Sequence, residues 1–502
     1  MTTLSTADRQ RAWPEHPVVH EINTLVWLGE VSERAGRPLT LADVPAHEWD
    51  AVVPPGISVV WLMGVWARSR AGREVALADP ALRASWTAAL PHWTEADVAG
   101  SPYCIREYVP DPVFGGWDGL DAAREQLNRR AARLMLDWVP NHTGPDSPWL
   151  ASTPEAYVTG TPSELAKDPA AFLDVDGTVV ARGRDPFFAP WPDVVQLDPF
   201  ATQHRRLAVE ALTRIAEHAD AVRCDMAMLM LDDVVQRTWG ERVGAPPATT
   251  YWDVVIGSVR AAHPDFRFIA EAYWDREWDL QQVGFDHCYD KRLYDRLAHE
   301  SPASVRGHLD AGLDYQDKLL RFLENHDEPR AAATFAPRAR NRALAVAIAT
   351  LPGMTLWHEG QADGRRVFLP VFLGRRPDEV LDPEQATFHH AVWAMAPSVR
   401  SGLWERTDIT GWPDNTSSAS MIDWQWADDD GHVVVVVNLG ENRADGMVRL
   451  KVDHDDHAEM VDLLTGVRYP YLGAAVAAQG LYVRLDGWGA QVLSTRVHSH
   501  AS

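Results

Sequence analysis

The chain has 502 residues, too many for one ordinary core and enough for two or three domains. Hydrophobic residues at 46% and charged residues at 24% are ordinary globular values and exclude disorder for the bulk of the chain. Forty-seven Lys and Arg against 71 Asp and Glu leave a formal net charge of −24, a field that repels phosphate backbones and anionic lipid and speaks against nucleic-acid and membrane partners.

The chain opens with MTTLSTADRQRAWPEHP, which lacks the apolar segment of a secretion signal. Short apolar runs without alternation follow at 18–28, 57–63 (ISVVWLM), 133–139 (RLMLDWV), 221–225, 266–271, 283–288, 319–324 and 354–357. Runs of this kind fit strands buried on both faces, as in a parallel sheet. Helix-like segments lie between them at 120–132, 203–218, 252–262, 291–299 and 341–349. Eight strands alternating with helices predict an α/β fold, a (β/α)8 TIM barrel. A doubly wound sheet is the alternative, but no Gly-rich strand-to-helix turn marks its nucleotide site.

The stretch 143–199 is rich in Pro, Gly, Asp and Ser and too long for an ordinary loop, so it is expected to form an inserted subdomain over the barrel mouth after the third strand. A helix at 383–396 is followed by short β-branched runs at 431–438 (GHVVVVVN), 447–452, 460–464 and 481–485, which predict a C-terminal all-β sandwich. The expected division is a barrel of 1–142 and 200–403, an insert of 143–199 and a sandwich of 404–502. The acidic run 428–430 reads as a solvated turn.

Cys104, Cys224 and Cys288 are too few and too scattered for a disulfide framework or a metal site and point to a reducing compartment. The longest apolar stretch, 343–351, is about half a membrane span. A cytoplasmic protein is expected. The 20 His are mostly scattered, with His454, His457, His498 and His500 in polar surroundings, so no catalytic metal is expected. The 22 Trp outnumber both 13 Phe and 11 Tyr; such rings serve either stacking on sugar faces or buried packing.

Barrel active sites lie at the C-terminal ends of the strands. The third predicted strand ends in Asp137, followed by Asn141 and His142. The fourth ends in Arg223 and Asp225, the fifth in Glu271, and the seventh runs into Asn325, His326 and Asp327. One carboxylate after a strand is commonly a helix N-cap. Four strands that deliver carboxylates to one rim, with two His and an Arg, are harder to explain as capping. Glycoside cleavage needs such a set: a carboxylic acid protonates the leaving oxygen while a carboxylate faces the anomeric carbon. Arg223, on the same strand face as Asp225, is placed to hold Asp225 as an anion, and Asp225 and Asp327 are expected to keep the proton on Glu271.

The segments LDWVPNH (136–142), AVRCD (221–225), FIAEA (268–272) and ENHDEPR (324–330) resemble, in order and spacing, the four sequence regions of the α-amylase family, glycoside hydrolase family 13. PYCIREYVPDPVFGG (102–116) resembles the family's loop after the second strand, WPDVVQLD (191–198) its fifth region, and LPGMTLWHEGQ (351–361) its eighth strand. The resemblance covers about 18–500, including the β-sandwich that usually follows the barrel. It implies a retaining α-glycosidase that takes an α-glucoside or oligosaccharide. Residue by residue it implies Asp225 as nucleophile, Glu271 as general acid/base, and Asp327 as the carboxylate that holds the sugar hydroxyls. Arg223 matches the arginine beside the nucleophile, His142 and His326 the imidazoles that bond the same sugar, and Tyr103 the tyrosine stacked beneath it. Asp137 matches a support near the site and is grouped with the substrate-binding residues, as is Trp274, which with Tyr273 either walls the acceptor side or packs. No cofactor is required by this reading; calcium is possible, because Asn141 matches a calcium ligand of many members.

The chain also departs from the family. Met228 and Leu229 stand where many amylases carry a Lys-His pair on the leaving side, Ala362 where a Glu often follows the eighth strand, and Cys224 before the nucleophile is unusual. Hydrolysis of small α-glucosides or malto-oligosaccharides is the leading expectation. Transglycosylation or disaccharide isomerisation through the same intermediate is the alternative, suggested by an apolar acceptor side of Met228, Leu229, Tyr273 and Trp274 that would disfavour water. A third reading is a sugar- or partner-binding barrel without catalysis.

Overall fold

The computed structural model describes residues 13–450 and 458–496. His454, His457, His498 and His500, and the first twelve residues, lie outside the described residues.

Eight parallel strands close into a barrel: β1 Val18–Asn23, β2 Val59–Met63, β3 Arg133–Trp138, β4 Ala221–Cys224, β5 Arg267–Ala270, β6 His287–Tyr289, β7 Leu319–Arg321 and β8 Met354–His358. Neighbours around the barrel follow chain order, and β8 pairs with β1 to close it. All residues of β1, β2, β3 and β8 are buried, because helices cover the outer face and side chains fill the inner one.

The predicted first strand, 18–28, is half strand and half helix. Asn23 accepts a hydrogen bond from the Val26 N–H at 3.4 Å and caps the helix Thr24–Ala35, so an apolar run that reads as one strand breaks where a capping side chain falls inside it. The predicted strand 283–288 shrinks to His287–Tyr289, since Val283 ends the short helix Glu277–Gln282. Strand β7 stops at Arg321, three residues before the expected end. The helices match their predicted positions to within four residues at each end, as in Thr202–His218 and Lys291–His299.

Between β3 and β4 the chain makes an excursion with a hairpin, Phe172–Val175 with Thr178–Ala181, and a two-stranded joint in which His142–Thr143 pairs antiparallel with Val195–Gln196. This joint is the stem of the excursion.

After the helix Pro383–Val399 come β9 Leu403–Arg406, β10 Ile409–Thr410, β11 Met421–Asp428, β12 Gly431–Asn438, β13 Ala444–Val448, β14 Ala458–Asp462, β15 Arg468–Tyr471, β16 Leu481–Leu485 and β17 Ala490–Ser494. They form two antiparallel sheets, in the orders β9-β11-β12-β17-β14-β15 and β10-β13-β16. The part is not wholly β, because Gly473–Gln479 is a helix. The predicted strand 447–452 sits three residues earlier, and residues 451 and 452 lie outside the described residues. The valine run of β12 serves two cores. Val433, Val435 and Val437 pack toward the barrel, while Val434 and Val436 pack with Val448 and Val483 of the smaller sheet. The Trp424 and Trp426 indoles both donate to the Thr350 carbonyl, at 3.1 and 2.7 Å, an oxygen that the end of helix Arg338–Thr350 leaves without an intrahelical donor. More than half of the Trp serve packing, since 12 of the 22 are buried. The 428–430 run forms the expected turn between β11 and β12, with Asp429 and Asp430 exposed.

Candidate active site

The site is built on the C-terminal ends of β3, β4, β5 and β7, with β1 beneath them. Arg223 lies in β4 and Asp225 just beyond it, so the period-two alternation of a strand puts both on the inner face. The ladder extends past the strand ends: the Asp225 N–H donates to Trp138 and the Glu271 N–H to Cys224, at 2.8 and 3.0 Å. Met226 then takes a left-handed backbone, φ 43°, which turns its N–H onto Glu271 Oε2 at 2.5 Å. A non-glycine residue in that region is strained, and here the strain aims a donor at a buried carboxyl.

Arg223 is the centre of the site. Its Nη1 donates to Asp225 Oδ1 at 2.6 Å, while Nη2 lies 2.8 Å from Glu271 Oε2 and 3.9 Å from Asp327 Oδ2. The guanidinium is fully buried among the rings of Trp61, Tyr103 and Tyr289, whose centroids lie 5.2 to 5.7 Å from its carbon. Arg223 was expected to hold Asp225; the same planar cation also pairs with Glu271 and lies 3.9 Å from Asp327.

Burial pushes the Glu271 carboxyl up to about 7, with Asp225 and Asp327 adding to the rise and Arg223 opposing it. The sequence reading credited the neighbouring charges; the larger cause is loss of water. Glu271 also accepts the Tyr273 hydroxyl at 3.1 Å. Asp327 is 43% exposed, which opens the cluster to solvent. Partial burial would raise its carboxyl, but His326, hydrogen-bonded at 3.0 Å, and Arg223 outweigh that and hold it below the usual carboxylate range.

His326 was expected, but its partner on β1 was not. Its Nδ1 lies 2.5 Å from Oε1 of Glu21, which is fully buried. Burial alone would strip the proton from this imidazole; Asp327 and Glu21 outweigh it and raise the ring well above its ordinary value, so it is an imidazolium at neutral pH. Its Nε2 also meets the Tyr103 hydroxyl at 2.8 Å, and the two rings stack 5.2 Å apart. His142 is the opposite case: burial lowers it and leaves a neutral ring, edge-on to Trp191.

Asp137 does not face the cleft. It is fully buried, and its carboxylate accepts Trp61 Nε1 at 3.1 Å and the Gly64 N–H at 2.7 Å, so its place among the substrate-binding residues is corrected to that of a support. Met228 and Leu229 do not dry the acceptor side either; they lie buried in the short turn Ala227–Met230 as part of the core. Trp274 is half-buried and packs edge-on against Phe187 of the excursion, 4.8 Å between centroids, with Phe188 exposed beside it. The outer residues of ENHDEPR also have work to do. Glu324 accepts Arg330 Nη1 at 2.7 Å and the Ala331 N–H at 2.5 Å, closing the base of the loop that carries His326 and Asp327.

The residues present do not fit calcium. The ion takes roughly six to eight oxygen ligands. The Asn141 side-chain oxygen instead accepts Gln196 Nε2 at 2.8 Å, and among the described residues no group of three or more His, Cys, Asp or Glu could hold a metal.

No family model matches the chain. Among curated proteins it is 21% identical over 393 residues to alpha-amylase MalA of Haloarcula japonica, covering 77% of this chain and 49% of that protein. It is 21% identical over 309 residues to alpha-amylase 3 of Dictyoglomus thermophilum, covering 56% and 55%. The chain thus spans about half the length of the curated relatives it matches. Among solved structures, a noncanonic maltogenic alpha-amylase, AmyB of Thermotoga neapolitana, superposes with a TM-score of 0.68 at 17% identity, covering 96% of this chain and 99% of the other. An alpha-amylase of Geobacillus thermoleovorans complexed with acarbose gives 0.68 at 17% identity, covering 97% and 100%. A debranching enzyme of Nostoc punctiforme, soaked with acarbose, gives 0.64 at 13% identity, covering 96% and 99%. The resemblance carried by the sequence motifs is borne out by these matches, and the barrel with its C-terminal sheets is the fold these structures share. Among the described residues no helix is long and apolar enough to cross a membrane.

Proposed function

We propose that this chain, assigned to the α-amylase family by sequence and fold, is a retaining α-glycosidase that hydrolyses α-glucosidic bonds of small glucosides or malto-oligosaccharides through a covalent glycosyl-enzyme. The observation that carries this reading is the Arg223 guanidinium in contact with Asp225, Glu271 and Asp327 at an opening of the barrel. Arg223 holding both Asp225 and Glu271 is compatible with the close carboxyl pair that double displacement requires. The relatives solved with acarbose support an oligosaccharide as substrate.

In the first step an Asp225 oxygen attacks the anomeric carbon. The glycosidic bond breaks, and the proton of Glu271 passes to the leaving oxygen. In the second step Glu271, now a carboxylate, takes a proton from water as that oxygen attacks the anomeric carbon and releases Asp225. The cationic His326 can only donate to sugar hydroxyls, the neutral His142 can also accept, and anionic Asp327 accepts. Buried, unpaired Cys104, Cys224 and Cys288 support a cytoplasmic setting.

The Glu21 contact yields a prediction. In Glu21→Gln the hydrogen bond to His326 Nδ1 survives without its charge, so only Asp327 is left to oppose burial and the ring's proton affinity falls. Substrate binding is then lost as pH rises: KM rises by about tenfold at pH 8 and little at pH 6, while kcat changes less. Equal KM values at both pH would show that Glu21 does not hold the charge of His326.

Transglycosylation or isomerisation through the same intermediate is favoured by one observation, the aromatic rim of Trp274, Phe187 and Phe188 that would shelter a sugar acceptor. A panel of α-glucosides and glucosyl phosphates, followed by NMR of the first product anomer, tests the readings together. An α-anomer released to water is expected. A β-anomer rejects retention, a transfer product moves the assignment to the second reading, and no turnover on any substrate leaves a binding barrel.

A further inference from the structure

We infer that the Gln196 side-chain amide occupies the place of a cation at the joint between barrel and excursion, so that this chain holds the joint without calcium. The inference rests on the fold and is independent of the reaction proposed above. The excursion leaves the barrel at His142–Thr143 and returns at Val195–Gln196, with His142 opposite Gln196. Asn141 and Gln196 are both buried at this stem.

The orientation of the Gln196 amide is set by groups of fixed polarity. Its Oε1 accepts the Arg184 N–H at 3.3 Å, and its Nε2 donates to the Leu197 carbonyl at 2.9 Å. A backbone N–H cannot accept and a backbone carbonyl cannot donate, so the amide cannot be turned over. The same Nε2 lies 2.8 Å from Asn141, which must therefore present its oxygen and not its nitrogen. Two oxygens, from Asn141 and Leu197, converge on one point, and that point holds an NH2 group with one hydrogen for each. The Asn141 nitrogen is left facing His142 Nδ1 at 3.3 Å, and its main-chain carbonyl accepts the Leu197 N–H at 3.0 Å. An ion seated there would have to displace a buried amide that already satisfies both oxygens, and among the described residues would find no cluster of three or more His, Cys, Asp or Glu to take over.

The test is thermal unfolding of the full chain with EDTA and with excess calcium chloride. Neither is expected to shift the midpoint of the wild type. In Gln196→Glu a carboxylate oxygen replaces the NH2 group and faces the two carbonyl oxygens. The midpoint is expected to fall by several degrees, and calcium is expected to restore part of the loss in the variant alone. A wild-type midpoint that falls in EDTA or rises with calcium overturns the inference. So does a variant that unfolds at the wild-type temperature, or one that calcium leaves unchanged. Should the variant fail to fold, the wild-type pair of measurements decides by itself.

Discussion

Asp225→Asn is expected to cut kcat on maltose-like substrates by roughly 10⁴-fold or more, the scale on which enzymes lose rate with their nucleophile. The substitution is close to isosteric, and the amide oxygen can still accept Arg223 Nη1, now 2.6 Å from Oδ1. The guanidinium also keeps its contact with Glu271 at 2.8 Å, so the site has no reason to collapse. What disappears is the anionic oxygen that forms the bond to the anomeric carbon. Release of reducing sugar measures the loss, and an unfolding midpoint within a few degrees of the wild type separates it from misfolding. Turnover within tenfold of the wild type would remove Asp225 from the mechanism.

Glu271→Gln is expected to lower kcat/KM by about 10²- to 10⁴-fold on sugar leaving groups and to erase the alkaline limb of the pH profile. The wild-type limb follows from the carboxyl held at about 7. Below that pH the proton is present and reaches the leaving oxygen; above it the acid is an anion and the rate falls. On a 2,4-dinitrophenyl glucoside the first step needs no proton, so the loss there should be far smaller. A limb that persists at the same pH in the variant belongs to another group and would refute the assignment. The sign for stability is the same. A carboxyl raised by folding contributes stability fully present below its unfolded value, about 4.3, and lost as pH rises through about 7. The variant should lack that component.

Much of the scaffold was legible because burial leaves a local mark. All eight barrel strands overlap short, mostly apolar runs without alternation, since a strand covered on both faces has no polar side to alternate. Errors fell where one side chain overrides its neighbours, as Asn23 does by capping a helix inside an apolar run. Met228 and Leu229 misled because an apolar residue near a site says nothing of whether it lines the cleft or the core beneath it. Glu21 was missed for the opposite reason: a single carboxylate inside an apolar strand carries no local sign of a partner 305 residues away. Gln196 was invisible as a joint residue, because a glutamine in a loop-rich stretch is ordinary until Asn141 and Leu197 converge on it.

Residue order alone determined that the chain builds a barrel with an excursion and a β-rich tail, and which acids, arginine and imidazoles crowd its mouth, because strand periodicity and motif spacing are local properties. Only the folded arrangement decided why Glu271 keeps its proton, which imidazole carries charge, and what sits beside Asn141. Those depend on distances and on lost water among segments far apart along the chain, and no short stretch of sequence encodes either.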